Sequence, residues 1–229
     1  MLEQPVTDVF FDLDHTLWDF ERNSELTYRR IFRDAGLQVD IPAFLQVYIP
    51  LNFELWKAYR EGRIGSRELR YTRLRSVFEK LGMAVGDQQI EWLSEAYIEF
   101  LSTHTYLMPD AEDILGYLSG KYRLHIITNG FGEVQYKKLR NSRIDGYFTE
   151  VIHSERAGVK KPDPKIFRLA LELAGIGARQ AVMIGDSLEA DILGARAVGF
   201  QTIHFNVHGD AVGAAGPVIH GLREIKSYL

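Results

Sequence analysis

The sequence contains no cysteine, which excludes disulfides, thiolate metal sites and cysteine nucleophiles and fits a reducing cytosol. Proline is scarce, with 7 residues among 229, and no segment is dominated by one residue type, so collagen-like and disordered chains are excluded. No apolar run approaches the roughly 18 residues that a membrane-spanning helix needs. An excess of positive charge is also missing: 27 basic residues face 31 acidic ones, for a net charge of −4. Such a chain has no global basic field for nucleic acid. The start, Met1-Leu2-Glu3-Gln4-Pro5, carries neither the basic residues nor the apolar stretch of a secretory signal. These absences lead to the expectation of a soluble, cytoplasmic protein with no nucleic-acid polymer and no membrane among its partners. What is present is ordinary for a globular fold, 46% apolar and 25% charged residues, enough for one large domain or a domain with a smaller partner.

Four apolar runs read as buried strands. Val6-Thr7-Asp8-Val9-Phe10-Phe11 ends abruptly in Asp12-Leu13-Asp14, and Arg123-Leu124-His125-Ile126-Ile127-Thr128 ends in Asn129-Gly130. Ala181-Val182-Met183-Ile184-Gly185 ends in Asp186-Ser187, and Gln201-Thr202-Ile203-His204-Phe205 follows. Alternation of such runs with helical patterns predicts βαβ units and a mostly parallel, doubly wound α/β sheet. Asp163-Pro164 predicts a helix start, with Ile166, Leu169, Ala170 and Leu173 at helical spacing and Gly175 as the stop. Further helices are expected from Pro109-Asp110, over Leu188–Val198, and through Leu222, Ile225 and Leu229.

From Leu17 to Tyr122 the pattern is helical. Leu69, Leu74, Val77, Phe78 and Leu81 form one stripe, and Trp92, Ala96 and Phe100 suggest a second. A βαβ crossover needs only about a dozen residues, so this stretch is expected to be an inserted helical cap domain. The expected division is an α/β core of residues 1–17 and 106–229 with a cap over 18–105.

In parallel α/β sheets ligands gather at the carboxyl ends of the strands. Here those ends offer Asp12 and Asp14, then Thr128 and Asn129, then Asp186 with Asp191 five residues on, and Lys160-Lys161-Pro162 precedes the Asp163 helix. Asp12 and Asp14 share a face of the strand. Crowded carboxylates repel unless a cation lies between them or one holds a proton. With Asp186 they would form an oxygen site, and without thiolates that donor set favours Mg²⁺. A hard cation beside a lysine suits phosphoryl transfer, because an attacking carboxylate must approach an anionic phosphate.

These residues resemble the haloacid dehalogenase-like (HAD) superfamily. Asp12-Leu13-Asp14-His15-Thr16-Leu17 is similar to its first motif, Ile127-Thr128-Asn129-Gly130 to the second and Lys161-Pro162 to the third. Gly185-Asp186-Ser187-Leu188-Glu189-Ala190-Asp191 is similar to the fourth. All occur in order, and the insertion after the first lies where this superfamily carries its helical type-one cap. The resemblance implies that Asp12 is the nucleophile, forming an aspartyl-phosphate, and that Asp14 is the general acid and base. Mg²⁺ would be held by Asp12, the main-chain carbonyl of Asp14, and Asp186. Asp191 would orient metal waters or the lysine. Thr128 and the Asn129 backbone would bind the phosphoryl oxygens, and Lys161 would neutralise charge. Asp14 points to a phosphatase, because haloacid dehalogenases lack this second aspartate.

Within the superfamily the chain resembles cytosolic pyrimidine 5′-nucleotidases. Phe10-Phe11-Asp12-Leu13-Asp14, Leu55-Trp56 with Tyr59 and Gly62, and Ile126-Ile127-Thr128-Asn129-Gly130-Phe131 carry that similarity, as do Val159–Phe167 and Glu189–Gly194. It implies a small phosphorylated metabolite as substrate, a nucleoside 5′-monophosphate first. Phosphoglycolate, sugar phosphates and acylneuraminate phosphates are the same-class alternatives, and a non-catalytic phosphate-metabolite binding protein is the alternative from another class.

Several features have plainer readings. An EF-hand loop beginning at Asp12 would put Leu17 and Asn23 where Gly and Glu belong, so it fails. His15 stands where many superfamily members have Gly, and is a substrate contact or a loop residue. Between Glu54 and Arg75 seven basic residues face three acidic ones. The stretch is either a basic lid or, as we expect for most of these residues, a solvated face balanced by acidic neighbours. Trp56 and Tyr59 are candidates to stack on a base, with packing inside the cap as the plainer expectation. Gly209–Gly216 lacks the spacing of a dinucleotide fingerprint and reads as a flexible loop.

Overall fold

The computed structural model describes residue 2, residues 5–209 and residues 216–229. The loop expected over Gly209–Gly216 therefore falls for the most part outside the described residues. The chain divides into two compact units, one formed by Met1–Phe20 with Thr105–Leu229 and the other by Glu21–His104.

The first unit is built on a six-stranded sheet. Its first strand, β1 (Asp8–Phe11), is buried along its whole length, as a strand covered on both faces must be. In chain order come α1 (Phe20–Asp34), α2 (Ile41–Arg60), α3 (Ser66–Lys80), α4 (Asp87–Leu101), α5 (Ala111–Ser119), β2 (Arg123–Thr128) and α6 (Gly132–Asn141). Then follow β3 (Phe148–His153), α7 (Ser154–Ala157), α8 (Pro164–Ala174), β4 (Ala181–Gly185), a π-helical turn (Leu188–Leu193), α9 (Gly194–Arg196), β5 (Gln201–Phe205) and β6 (Val218–Ile219). The strand order is β3-β2-β1-β4-β5-β6 and every pairing is parallel. The chain thus runs outward from β1 in one direction and then in the other, which is the doubly wound α/β arrangement. Phe11 pairs with Ile126 on one side and Ile184 on the other, so the segments after β1, β2 and β4 leave the sheet together.

Helix α8 shows how local chemistry positions this frame. The Asp163 carboxylate accepts the amide of Lys165 at 2.8 Å, Pro164 opens the helix, and Gly175 closes it at φ 68°. Between these stops Ile166, Phe167 and Ala170 pack against Phe10, Ile127, Met183 and Phe200 in the main core.

Some elements differ from expectation. Strand β3 was not anticipated, because at the sheet edge it keeps Thr149 exposed and buries only Ile152 fully, so it lacks a continuous apolar run. Strand β6 is two residues long, too short to leave a pattern. The helix expected over Leu188–Val198 begins instead as the π-turn and becomes α-helical only at Gly194. The closing segment Leu222–Ser227 is a 3-10 helix that buries Leu222 and Ile225.

The second unit is helical. Its interior is aromatic: Tyr28 stacks on Tyr97 with centroids 4.6 Å apart and lies 4.8 Å from both Phe44 and Tyr48. Leu69, Leu74, Val77 and Phe78 are buried as one face of α3. On α4 the inward face is Ile90, Leu93, Ala96, Tyr97 and Leu101, while Trp92 is exposed. Of the expected stripe Ala96 lies inward, while Trp92 and Phe100 sit one position, about 100° of rotation, from the buried Leu93 and Leu101. Most of the basic stretch is matched by acid within the unit: Arg63 and Lys57 with Glu61, Arg67 with Glu91, and Arg75 with Glu79 and Asp87. Arg73 differs, being buried against Tyr48 and Tyr97. Trp56 packs edge-on to Tyr59 at 5.6 Å. Among the described residues no helix is long and apolar enough to cross a membrane.

Candidate active site

Asp12 is the first residue beyond β1, and its amide still donates to the Ile184 carbonyl at 2.9 Å. It is therefore held between β2 and β4 with its side chain at the carboxyl edge. One Asp12 oxygen lies 2.5 Å from Nζ of Lys161. The same ammonium lies 2.7 Å from Asp191 Oδ1 and donates to the Ile127 carbonyl at 2.6 Å. The ammonium thus donates to two oxygens and pairs by charge with a third, that of Asp191.

The loop that presents Lys161 is fixed by Asn129. Its side-chain oxygen accepts the Lys161 amide at 2.7 Å and its amide group donates to the Lys161 carbonyl at 3.0 Å. This side-chain bridge was not anticipated, since only the Asn129 backbone had been given a role.

Asp186 follows β4. It accepts a hydrogen bond from the Thr16 hydroxyl at 3.1 Å and lies 3.1 Å from His208 Nε2, while His204 Nε2 lies 2.9 Å from its carbonyl. Asp191 is placed by the π-turn, where its other oxygen accepts the Ser187 amide at 3.0 Å. Its carboxylate lies against Gly185, where an added Cβ would sit 2.3 Å from Oδ2.

Asp12, Asp186 and Asp191 are buried with carboxylate oxygens within 4.8 Å of one another. Burial pushes the Asp12 carboxyl well up, and the charges of Asp191 and Asp186 add to what Lys161 only partly offsets. Burial also raises Asp191, against the pull of Lys161. Burial opposes the Lys161 ammonium as well, yet Asp12 and Asp191 outweigh it and hold its proton more tightly than usual. Three carboxylates against one ammonium leave two negative charges, which one divalent cation would balance. The donors are all oxygen, the preference of a hard cation. The residues present thus fit a magnesium ion.

Thr128 ends β2. Its hydroxyl oxygen accepts from the Gly130 amide at 3.2 Å and from Gln135 Nε2 at 2.7 Å. A hydroxyl has two lone pairs and one proton, so this one is left to act as a donor. Asp14, two residues beyond Asp12, turns from the acidic cluster to α6. One oxygen lies 2.5 Å from Lys138 Nζ and the other accepts from Gln135 Nε2 at 3.0 Å.

His15 has φ 65°, the left-handed conformation that glycine adopts without cost. Its ring is 4.8 Å from that of Phe20 and 5.1 Å from that of His208. The residues that sequence reasoning missed are Thr16, Gln135, Lys138, His204 and His208. A signal existed for three of them: Thr16 belongs to the first motif, and Gln135 and Lys138 occupy the buried face of α6 beside Val134 and Leu139, where a helix ordinarily places apolar residues.

A doubly wound parallel sheet thus gathers buried carboxylates, a donor hydroxyl and an oriented lysine at its carboxyl edge, the layout of a Rossmann-like α/β enzyme site. The chain belongs to the haloacid dehalogenase-like hydrolases, whose family model matches residues 9–199. It is similar to pyrimidine 5′-nucleotidase YjjG of Escherichia coli, 36% identical over 87% of this chain and 86% of that one. Pyrimidine 5′-nucleotidase PynA of Streptococcus pneumoniae is 33% identical over 87% and 84% of the two chains. Glyceraldehyde 3-phosphate phosphatase of Pyrococcus abyssi is 36% identical over 86% and 80%. Among solved structures, the HAD-hydrolase YfnB of Bacillus subtilis, bound to magnesium, superposes with a TM-score of 0.88 at 29% identity, covering 99% of each chain.

Proposed function

We propose that this chain is a magnesium-dependent phosphomonoesterase in which Asp12 is the nucleophile. The observation that carries the proposal is the buried Asp12 carboxylate, 2.5 Å from Lys161 and clustered with Asp186 and Asp191. An Asp12 oxygen attacks phosphorus while the bond from phosphorus to the ester oxygen breaks. The leaving oxygen takes a proton from the Asp14 carboxyl, and an aspartyl-phosphate remains on Asp12. Asp14, now a carboxylate, removes a proton from water. The resulting hydroxide attacks phosphorus, and the bond to Asp12 breaks to regenerate its carboxylate and release phosphate.

The Thr128 hydroxyl and the Asn129 backbone bind the phosphoryl oxygens, and Lys161 neutralises charge between nucleophile and phosphate. Asp12, Asp186 and the Asp14 carbonyl would hold Mg²⁺, and Asp191 would orient metal waters or Lys161. When bound, the ion supplies positive charge to the phosphoryl oxygens.

The helical unit Glu21–His104 is read as the cap that chooses the leaving group, with Trp56 and His15 as candidate contacts. The substrate inferred first is a pyrimidine nucleoside 5′-monophosphate, supported by similarity to two nucleotidases over most of their length. Phosphoglycolate, acylneuraminate phosphates and sugar phosphates follow, and the Pyrococcus relative favours a triose phosphate among them. The enzyme is inferred to act on free metabolites in the cytoplasm.

The test is phosphate release from UMP, dUMP, dTMP, AMP, phosphoglycolate, glyceraldehyde 3-phosphate, an acylneuraminate phosphate and sugar phosphates, with Mg²⁺ and with chelator. Turnover led by pyrimidine monophosphates and abolished by chelator and by Asp12→Asn is the expected result. Turnover led by another ester overturns the substrate alone. Wild-type turnover by Asp12→Asn, or silence from folded, Mg²⁺-loaded protein, overturns the mechanism.

A further inference from the structure

Helix α6 reaches into the site from a region to which no motif assigns a role. Gln135 and Lys138 are three residues apart, hence neighbours on one helix face, and both are buried. Each engages a different oxygen of Asp14, Lys138 Nζ at 2.5 Å and Gln135 Nε2 at 3.0 Å. With both oxygens held, the carboxyl has one orientation.

The orientation of Gln135 is itself determined. Its amide nitrogen has two acceptors, Asp14 Oδ2 and the Thr128 hydroxyl oxygen, and a flipped amide would set its carbonyl against the Asp14 carboxylate. The carbonyl Oε1, in contrast, is buried with no hydrogen-bond partner among the described residues. An unpaired buried acceptor works against folding. Fold stability therefore does not explain glutamine at this position, whereas a hold on Asp14 and Thr128 does.

Lys138 is likewise placed by its surroundings, with Nζ 4.3 Å from the Trp18 ring centroid and 5.6 Å from that of Phe20. A cation over aromatic faces is favourable; Trp18 stands on the same loop as Asp14, and Phe20 opens α1 directly after it. Gly130 makes the arrangement possible, because a Cβ there would lie 2.4 Å from both Cδ and Nε2 of Gln135.

We propose that Gln135 and Lys138 are positioning residues that clamp the Asp14 carboxyl for proton transfer to the leaving oxygen, with Gln135 also setting the Thr128 hydroxyl as a donor. This inference rests on Asp14 as the proton donor. A misplacement of about 1 Å at a reacting group costs up to roughly 100-fold, and the clamp acts on that scale.

The experiment compares Lys138→Met, Gln135→Leu and Gly130→Ala, each alone and in the Asp14→Asn background. The substrates are p-nitrophenyl phosphate and the alkyl ester turned over fastest in the panel above. The single variants are expected to lower kcat/KM, which reports the steps up to the aspartyl-phosphate, for the alkyl ester about 10- to 100-fold. KM is expected to stay within about threefold, and the aryl ester, whose leaving group needs little protonation, to lose less. Gly130→Ala reproduces Gln135→Leu without removing a polar group, and Lys138→Arg restores most of the loss. In the Asp14→Asn background the Lys138 substitution costs nothing further, and Gln135→Leu costs only what is lost through Thr128.

Unfolding midpoints keep the comparison to folded protein. Equal losses for both esters, or a Lys138→Met cost that persists in full without Asp14, would falsify the clamp. If Asp14→Asn alone is impaired with the expected leaving-group dependence, the proposed mechanism survives that failure. Full activity of Asp14→Asn would remove both.

Discussion

Lys161 and Asp191 face each other at 2.7 Å, Nζ to Oδ1, with 2% and 1% of their side chains exposed. Asp191 is the fixed post of this pair, since its second oxygen is bonded to the Ser187 amide. The lysine then spans from that post to Asp12. Charged groups removed from water in this way depend on each other, and the loss of one partner is felt by the other.

Asp191→Asn keeps the shape and removes the charge. It is expected to lower kcat about 100-fold, as loss of one charge-stabilising group does elsewhere, and to destabilise the fold by about 1.5–3 kcal/mol. Steady-state kinetics and urea unfolding check both. Unchanged values of both would show that Lys161 needs only Asp12.

Gly185→Ala forces a methyl to within 2.3 Å of Asp191 Oδ2. The Asp191 carboxylate is tied to Lys161 and Ser187, so it has little room to yield. Overpacking of this kind costs about 1–3 kcal/mol, and activity should fall with it. Gly120→Ala is the control, because nothing lies within 4 Å of a Cβ there and φ is −77°. A thermal melt in which the two variants behave alike would contradict the tight packing of Asp191.

At the opposite end of β1, His125 Nε2 lies 2.8 Å from the buried Asp8 carboxylate, which also pairs with Arg123 at 2.9 Å. Burial lowers the His125 imidazole below its ordinary value, and Asp8 offsets this only in part. The folded state therefore favours neutral His125, while the unfolded chain takes up a proton near pH 6.5. The corresponding stability is complete above about pH 6.5 and is lost as pH falls through the folded value, with a limiting slope of roughly 1.4 kcal/mol per pH unit for one proton. His104 and His153 are also lowered by burial and add to the slope. Denaturant unfolding from pH 8 to pH 5 carries this decline against the opposite contribution of the raised Asp12 and Asp191 carboxyls. His125→Phe, which keeps the stack on Phe10, should make it shallower while lowering stability at pH 8. An unaltered slope would exclude His125 as a source.

In the helical unit, Arg73 Nε and Nη2 are buried without a hydrogen-bond partner, and Nη1 reaches Asn52 and Tyr48 only at 3.4 and 3.5 Å. Its guanidinium lies 4.3 Å from the Tyr97 ring. Such a contact contributes about 2 kcal/mol when desolvated, against roughly 1–3 kcal/mol for each of the two unpaired donors. The second effect wins. Arg73→Met is therefore expected to leave the unfolding free energy unchanged or to raise it, and a loss above about 2 kcal/mol would show that the arginine is better paired than its contacts indicate.

Much of the α/β frame was legible because its signals are local. A strand buried on both faces is largely apolar, and β1, β2, β4 and β5 read as such runs even though Asp8, His125, Thr202 and His204 are buried within them. A helix between Asp163-Pro164 and Gly175 is bounded by side-chain and backbone chemistry of those residues alone. Strand β3 escaped because an edge strand tolerates an exposed Thr149 and a half-buried Glu150 that interrupt the apolar run. Trp92 misled the phase of α4 because a large apolar residue at the margin of a helix face resembles one inside it.

By itself the sequence determined which residues end the central strands in Asp12, Asp14, Thr128 and Asp186, and which loop carries Lys161, since strand limits and turn chemistry depend on near neighbours. Only the tertiary structure decided that Asp191 sits on a π-turn behind Gly185, that Asn129 ties the Lys161 loop, and that Asp14 is held from α6. Lys138 and Asp14 are 124 residues apart in the chain. Their meeting depends on the register of β2 against β1 and on the packing of α6 beside that edge, which no local pattern of residues encodes.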